Sequence, residues 1–100
     1  NAAYLGVVTA DLSTEAIQMY DMPEGAFVIR VEKNSAAGKA GIQKGDIIVS
    51  FDGQTVSGKD DLESKLAYYA SGETVDVVVS RADNGEYVQK TISVTLGSKN

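Results

Sequence analysis

The sequence NSAAGKAGIQKGDIIVSFDGQTV, residues 34–56, carries the strongest fold information in the chain. Its small residues predict one or two helical turns, in which Asn34 or Ser35 is the N-cap and Gly41 is the left-handed residue that ends the helix. A lysine–glycine turn leads into the apolar strand DIIVSF. Asp52 and Gly53 then tolerate the positive φ angles of a type I′ turn. The segment therefore predicts a helical turn, a strand and a tight hairpin in that order.

A longer helix is predicted directly after this hairpin. Ser57 with Asp60 three residues later is close to a capping box. Leu62, Leu66 and Tyr69 lie at i, i+4 and i+7, which places one apolar stripe on the helix. Such a stripe most often packs in the core, but a helix that packs obliquely on a sheet also leaves an apolar groove beside a neighbouring strand. Both roles stay open for this helix.

Alternating residues predict strands in the rest of the chain. In residues 26–32, AFVIRVE, the side chains of Phe27, Ile29 and Val31 fall on one face, the pattern of a half-buried strand. The other predicted strands are 4–9, 46–51, 54–56, 75–79 and 88–96, and a short helix is predicted over 14–20 after an N-cap at Ser13. The last two strands form a hairpin around the turn DNGE, residues 83–86.

This order of elements predicts an α+β fold. It contains five to six strands, one main helix and one or two short helices, arranged as a partly open β-barrel or sandwich. The chain of 100 residues has the size of one domain and shows no internal repeat, so residues 1–100 are taken as one domain with a short tail at 97–100. The chain starts at Asn1 without an initiator methionine, which indicates a fragment of a larger protein.

Composition excludes several function classes. The chain contains neither cysteine nor histidine, which removes thiol nucleophiles, disulfides and serine–histidine triads. Its 14 acidic and 9 basic residues give a net charge of −5, and the basic residues do not cluster. A nucleic-acid partner is therefore not expected. Apolar residues make up 43% of the chain without a membrane-length run, so we expect a soluble domain.

No residue in the sequence has the context of a catalyst or a metal ligand. The neighbouring carboxylates Asp60 and Asp61 would point to different faces of their helix, and Asp83 belongs to a turn. No base is available to activate Ser50 or Ser93. We therefore expect no catalytic residue, no metal site and no cofactor.

Tyr4-Leu5-Gly6-Val7 is the candidate binding motif. A glycine between apolar residues at a strand start lets successive backbone N–H groups point into one concavity, which suits an anion such as a carboxylate. The more frequent alternative is an ordinary strand start with a glycine bulge. The residues alone leave both alternatives open.

Taken together, YLGV at residues 4–7, the segment 34–56, DLESKL at 61–66 and the valine-rich last hairpin resemble the PDZ domain of HtrA-type (Deg-type) trypsin-like serine proteases. The resemblance covers nearly the whole chain. It implies the circularly permuted bacterial topology, in which the carboxylate-binding loop lies near the N-terminus and the last hairpin completes the sheet. The site residues that it implies are a carboxylate-binding loop of Tyr4, Leu5, Gly6 and Val7, strand pairing by Val7, Val8 and Thr9, and a wall on helix 59–70 formed by Leu62, Lys65, Leu66 and Tyr69.

The function that the resemblance implies is capture of C-terminal or unfolded polypeptide segments by strand addition. The domain would be non-catalytic and would serve a linked trypsin-like protease domain in an extracytoplasmic protein, at the cell surface or anchored in the membrane of a bacterium that we expect to be Gram-positive. Two alternatives remain. The same fold occurs in other proteases and secretion proteins, and the groove can instead hold a neighbouring chain in an assembly.

Overall fold

Alternating apolar residues build one open antiparallel sheet, flanked by three short helices. The structure is a computed structural model that describes residues 3–98. Its elements in chain order are β1 (Val7–Asp11), α1 (Thr14–Tyr20), β2 (Ala26–Val31), α2 (Ala36–Ala40), β3 (Ile47–Phe51), β4 (Gln54–Thr55), α3 (Lys59–Leu66), β5 (Thr74–Asp83) and β6 (Glu86–Thr95). The strand order is β1-β2-β3-β5-β6, with β4 paired to β3 outside this path. The α+β class and the strand number are confirmed, and the sheet does not close into a barrel.

The segment 34–56 folds as its sequence predicts. Of the two candidate N-caps of α2, the structure uses Ser35, whose Oγ accepts a hydrogen bond from the Gly38 N–H at 3.1 Å. Gly41 ends the helix at φ 101°. Asp52 and Gly53 have φ angles of 52° and 79°, as a type I′ turn requires. Local turn chemistry is thus sufficient to place these elements.

The predicted buried face of β2 is wrong. Phe27, Ile29 and Val31 do not share one inward face, because Val28 is fully buried whereas Ile29 is 42% exposed. The pairing of β2 with β1 skips Ile29, which indicates a β-bulge at this residue. The extra residue reverses the alternation, so that Val28 and Val31 both pack towards the core.

Helix α3 is shorter than predicted. It ends at Leu66 instead of residue 70, and the N–H groups of Tyr68 and Tyr69 make i→i−3 bonds that tighten the chain after it. The predicted capping pair of Ser57 with Asp60 is also wrong. The N-cap of α3 is Gly58 and not Ser57. The Ser57 N–H donates to the Oδ2 of Asp61 at 2.9 Å, so Asp61 takes the place predicted for Asp60.

The core lies between the sheet and helices α2 and α3. It is built from aliphatic side chains and a single buried aromatic ring, and its largest fully buried members include Phe51, Leu5, Ile48, Leu62 and Leu96. None of the described helices has the length and hydropathy that a membrane span requires. The core includes residues near both ends of the described chain, since Leu5 and Leu96 both belong to it.

A buried ion pair holds the turn before β3 against β5. Asp46 is 1% exposed, and Arg81 donates to both of its carboxylate oxygens, from Nε at 2.9 Å and from Nη2 at 2.7 Å. The hydrogen bond to Asp46 raises the pKa of Arg81 further above its ordinary value. The same carboxylate accepts the Gln43 N–H at 2.9 Å. Asp46 is therefore fully bonded only while Arg81 is present.

We predict that Arg81→Met lowers the free energy of unfolding by about 3–5 kcal/mol, because it leaves a buried carboxylate without its partner. The matched control is Arg30→Met on β2, since the Arg30 side chain is 70% exposed and its guanidinium lies 4.0 Å from Glu32. We expect that variant to lose less than about 1 kcal/mol. Urea unfolding of both variants measures the difference, and equal losses would contradict this role of Arg81.

Candidate functional site

An apolar cavity lies where the start of the chain, the edge strand β1 and helix α3 meet. Its volume is about 300 Å³. It is lined by Ala3, Tyr4, Leu5, Gly6, Val7, Thr9, Leu62, Glu63, Leu66 and Ala67. The cavity therefore brings together the predicted loop, two of the three predicted pairing residues and half of the predicted helix wall.

The loop at residues 4–6 is held by its carbonyl groups. Three consecutive carbonyl oxygens accept hydrogen bonds from three separate parts of the fold. These bonds join Tyr4 O to the Gly97 N–H at 3.1 Å, Leu5 O to the Ala37 N–H at 2.8 Å, and Gly6 O to the Glu32 N–H at 2.8 Å. The loop is thus attached to the end of β6, to the first turn of α2 and to the end of β2.

This attachment determines the direction of the loop's donors. The described peptide bonds are all trans, and in a trans peptide the C=O and the N–H of one unit point in opposite directions. The N–H groups of Leu5, Gly6 and Val7 therefore point away from the anchoring elements. Within residues 3–98, no acceptor pairs with the N–H of Leu5 or Gly6. Successive N–H groups without a partner in the fold are the kind of donor that can receive an anion.

The edge of β1 continues this row of backbone groups. Val7 is opposite Val31, and the Gly6 O to Glu32 N–H bond makes this a non-hydrogen-bonded pair. The N–H and C=O of Val7 therefore face the open edge, and by alternation those of Thr9 do too. The backbone groups of Val8 are directed at β2. Val7 and Thr9 are thus positions of β1 at which a further strand can pair.

Gly6 cannot be replaced without moving the loop. Its φ is +89°, and a Cβ at this position would overlap the Cβ of Ser35. Ser35 is itself fixed, because its Oγ donates to Glu32 O at 2.7 Å and caps α2. Both the backbone conformation and the packing therefore require glycine.

Leu62 and Leu66 form the apolar wall of the cavity. They are one helical turn apart on α3 and face the loop together with Glu63 and Ala67. Leu62 is 2% exposed and belongs to the core as well, whereas Leu66 is partly buried. The two roles that the sequence left open for the stripe therefore coexist in this helix.

Lys65 and Tyr69 lie elsewhere, around a second cavity on the other side of α3. Lys65 donates to the Oδ1 of Asp61 at 2.7 Å, a bond that lowers the pKa of Asp61. The Tyr69 ring packs edge-on against Phe51 with 5.1 Å between ring centroids, and its hydroxyl donates to Asp52 at 2.6 Å. That bond raises the pKa of Tyr69. Tyr69 therefore anchors the chain after α3 and does not line the cavity between loop and helix.

The Tyr4 side chain ties the loop to Glu32. Its hydroxyl donates to the Oε1 of Glu32 at 2.7 Å, which raises the pKa of Tyr4. Glu32 thus contacts the loop twice, through this carboxylate and through its backbone N–H.

Sequence reasoning missed Glu32, Ala37 and Gly97 as anchors, because backbone donors leave no signal in the residue type.

The charged side chain that lines the cavity is the carboxylate of Glu63. Among residues 3–98, no group of three or more acidic side chains is close enough to hold a metal ion. The arrangement offers backbone donors, an open strand edge and an apolar wall, which together can bind an extended chain.

Comparisons with known proteins agree with this geometry. The PDZ domain family matches residues 3–96. A DegP-like periplasmic serine endoprotease of Marinomonas sp. is 36% identical over 99 residues, which are 97% of this chain and 20% of that protein. A DegP-like endoprotease of Halomonas elongata is 30% identical over 94% of this chain and 19% of its own length. The chain therefore spans about a fifth of the relatives that it matches.

Solved structures show the same fold. The HtrA-type protease AlgW with a decapeptide has a TM-score of 0.75 at 28% identity and matches 99% of this chain and 30% of its own. The HtrA3 PDZ domain bound to the phage-derived ligand FGRWV has a TM-score of 0.75 at 21% identity, over 94% of this chain and 84% of its own. The chain thus belongs to the PDZ domain family, and the relatives that it resembles are HtrA-type serine endoproteases.

Proposed function

We propose that this domain binds the C-terminus of an extended polypeptide by adding it as a strand beside β1. The observation that carries the proposal is the row of N–H groups at Leu5, Gly6 and Val7, which the anchored carbonyls turn away from the fold. These donors match a terminal carboxylate. The ligand backbone then pairs with Val7 and Thr9 in an antiparallel ladder.

The ligand's last side chain enters the cavity against Leu62 and Leu66. This wall is aliphatic, so an apolar terminal residue is preferred, and Glu63 disfavours an acidic one. The ligand FGRWV of the similar HtrA3 structure ends in an apolar residue, in agreement with this preference. The cavity of about 300 Å³ is large enough for a valine, leucine or phenylalanine side chain.

The expected affinity is weak. A few main-chain hydrogen bonds contribute about 0.5–1.5 kcal/mol each, and one buried apolar side chain contributes about 1.5–3 kcal/mol. The loss of ligand freedom opposes these terms. The dissociation constant should therefore be micromolar or higher, which suits a domain that samples many unfolded chains.

We further propose that the domain serves a linked trypsin-like protease and is not itself catalytic. The support is its similarity to serine endoproteases of which it spans about a fifth. Those relatives are named periplasmic, so we place the parent protein outside the cytoplasm, either at the cell surface or anchored in a membrane. Periplasmic relatives give no support to the Gram-positive origin expected from the sequence.

A peptide with a free C-terminus should bind at least about tenfold more tightly than the same peptide amidated at its C-terminus, because the amide removes the charge that the three N–H groups receive. Calorimetry with a valine-terminated decapeptide measures both constants. Equal affinities would contradict the carboxylate site, and binding of neither peptide would favour the alternative in which the groove serves assembly.

Gly6→Ala should weaken peptide binding by at least about tenfold, because the added Cβ pushes the loop away from Ser35 and turns its donors. Gly45→Ala is the control, since Gly45 has a φ of +94° with no atom within 4 Å of an added Cβ. Both variants should lose about 1–2 kcal/mol of stability from the left-handed backbone. Only Gly6→Ala should lose binding, and intact binding in that variant would refute the loop assignment.

Leu66→Ala should reduce the preference of the domain for a leucine over an alanine at the ligand's C-terminus by about threefold to tenfold, because it removes half of the apolar wall. Ser64→Ala on the same helix lies outside the cavity lining and should keep the preference. Fluorescence anisotropy with the two peptides measures the ratio. The wall assignment fails if Leu66→Ala keeps the same ratio as Ser64→Ala.

A further inference from the structure

Helix α3 receives its N-terminal cap from β1. Its N-cap residue is Gly58, which has no side chain to bond the first turn. The N–H of Lys59 instead donates to the Oδ1 of Asp11 at 2.8 Å, across 48 residues of chain. A free N–H in the first turn of a helix requires such a partner. Asp11 therefore performs at a distance what a local serine or aspartate usually does.

Residue 58 must be glycine because the Asp11 carboxylate occupies the space that a side chain would need. A Cβ on Gly58 would lie 2.5 Å from the Oδ1 of Asp11. The φ of Gly58 is 173°, an extended conformation that any residue adopts, so only this contact requires glycine. The end of the edge strand and the start of the wall helix are thus in direct contact.

This contact lies at the upstream end of the groove. Asp11 is the last residue of β1, and the cavity lining includes Thr9 but neither Asp11 nor Gly58. At the opposite end, the chain after α3 is tied to the loop, since Tyr69 O accepts the Ala3 N–H at 3.3 Å. The residues of α3 that line the groove lie between these two ties. The helix is therefore held at both ends, and the contact of Asp11 with Gly58 separates this groove from a second cavity, which these two residues line together with Thr14, Ser57 and Asp60.

We propose that Asp11 is a positioning residue that closes the upstream end of the groove and fixes the spacing between β1 and α3. This inference rests on the proposed function. An antiparallel ligand runs from the loop towards Asp11, at about 3.4 Å per residue. The stretch from Val7 to Asp11 is about 14 Å long, which leaves room for about four ligand residues before Asp11. The domain therefore contacts only about the last four residues of the ligand, and ligand residues further upstream leave the sheet edge.

The test uses two acetylated peptides of four and ten residues. Both end in valine and share their last four residues, and the longer peptide has a serine–alanine extension before them. Wild-type protein should bind both within about twofold. Asp11→Ala should bind the short peptide about fivefold more weakly, the effect expected for a lost helix cap. It should also bind the long peptide at least about threefold better than the short one, because the end of the groove is open. Asp11→Asn keeps an acceptor oxygen and should resemble wild type.

Gly58→Ser separates positioning from helix stability. Its hydroxyl caps α3 locally, while its Cβ displaces the Asp11 carboxylate. This variant should keep the wild-type melting temperature and still bind the long peptide more tightly than the short one. If Asp11→Ala does not fold, this variant alone tests whether Asp11 positions β1 and α3. Asp76→Ala, another exposed aspartate on a strand, is the control and should match wild type.

The outcomes distinguish the two proposals. If wild type binds neither peptide, the proposed function fails and the role of Asp11 fails with it. If wild type binds the long peptide much more tightly than the short one, the groove is not closed and the role of Asp11 is wrong while the function stands. The role of Asp11 is also wrong if Gly58→Ser and any folded Asp11→Ala keep the wild-type ratio of the two affinities.

Discussion

Three hydrogen bonds to the carbonyls of the loop at residues 4–6 control the geometry of the whole site. A loop of a few residues has no intrinsic reason to present successive N–H groups on one side. Here the carbonyls of Tyr4, Leu5 and Gly6 are each held by a donor from the fold, and trans peptide geometry turns the following N–H groups outward. The proposed binding groups are thus ordinary backbone atoms, and their orientation comes from the bonds that hold the carbonyl of each peptide unit.

The sheet supplies two of these anchors and the helix α2 supplies the third. Gly97 follows β6, which is one edge strand of the sheet. Glu32 follows β2, which lies next to the opposite edge strand β1, so the loop bonds to both sides of the sheet. Tyr4 and Gly97 lie near the two ends of the described chain, yet they bond in both directions, at 2.8 and 3.1 Å. The buried pair of Asp46 and Arg81 stabilises the sheet between these anchors. The orientation of the loop's N–H groups therefore depends on tertiary contacts from distant parts of the chain.

Local features could be predicted from the sequence, and long-range ones could not. Ser13 caps α1 by accepting the Ala16 N–H at 3.0 Å, and the Asp52-Gly53 turn forms as expected, because their partners lie within a few residues. The bulge at Ile29 and the early end of α3 depend on pairing with β1 and on the packing of Tyr69 against Phe51. A family resemblance predicts the loop position, whereas its anchors and the cap from Asp11 join residues far apart in the sequence and leave no local pattern.

The proposed binding of a ligand's carboxylate by the N–H groups of Leu5, Gly6 and Val7 can be tested by NMR. The ¹⁵N-labelled domain is titrated with a valine-terminated peptide, and the backbone amide shifts are followed. We expect large downfield proton shifts for these three amides, while the Tyr4 amide, which already donates to Gly97 at 2.8 Å, keeps its position. Saturable binding that leaves the three amides unchanged and shifts other surfaces would show that the carboxylate is not bound by this loop.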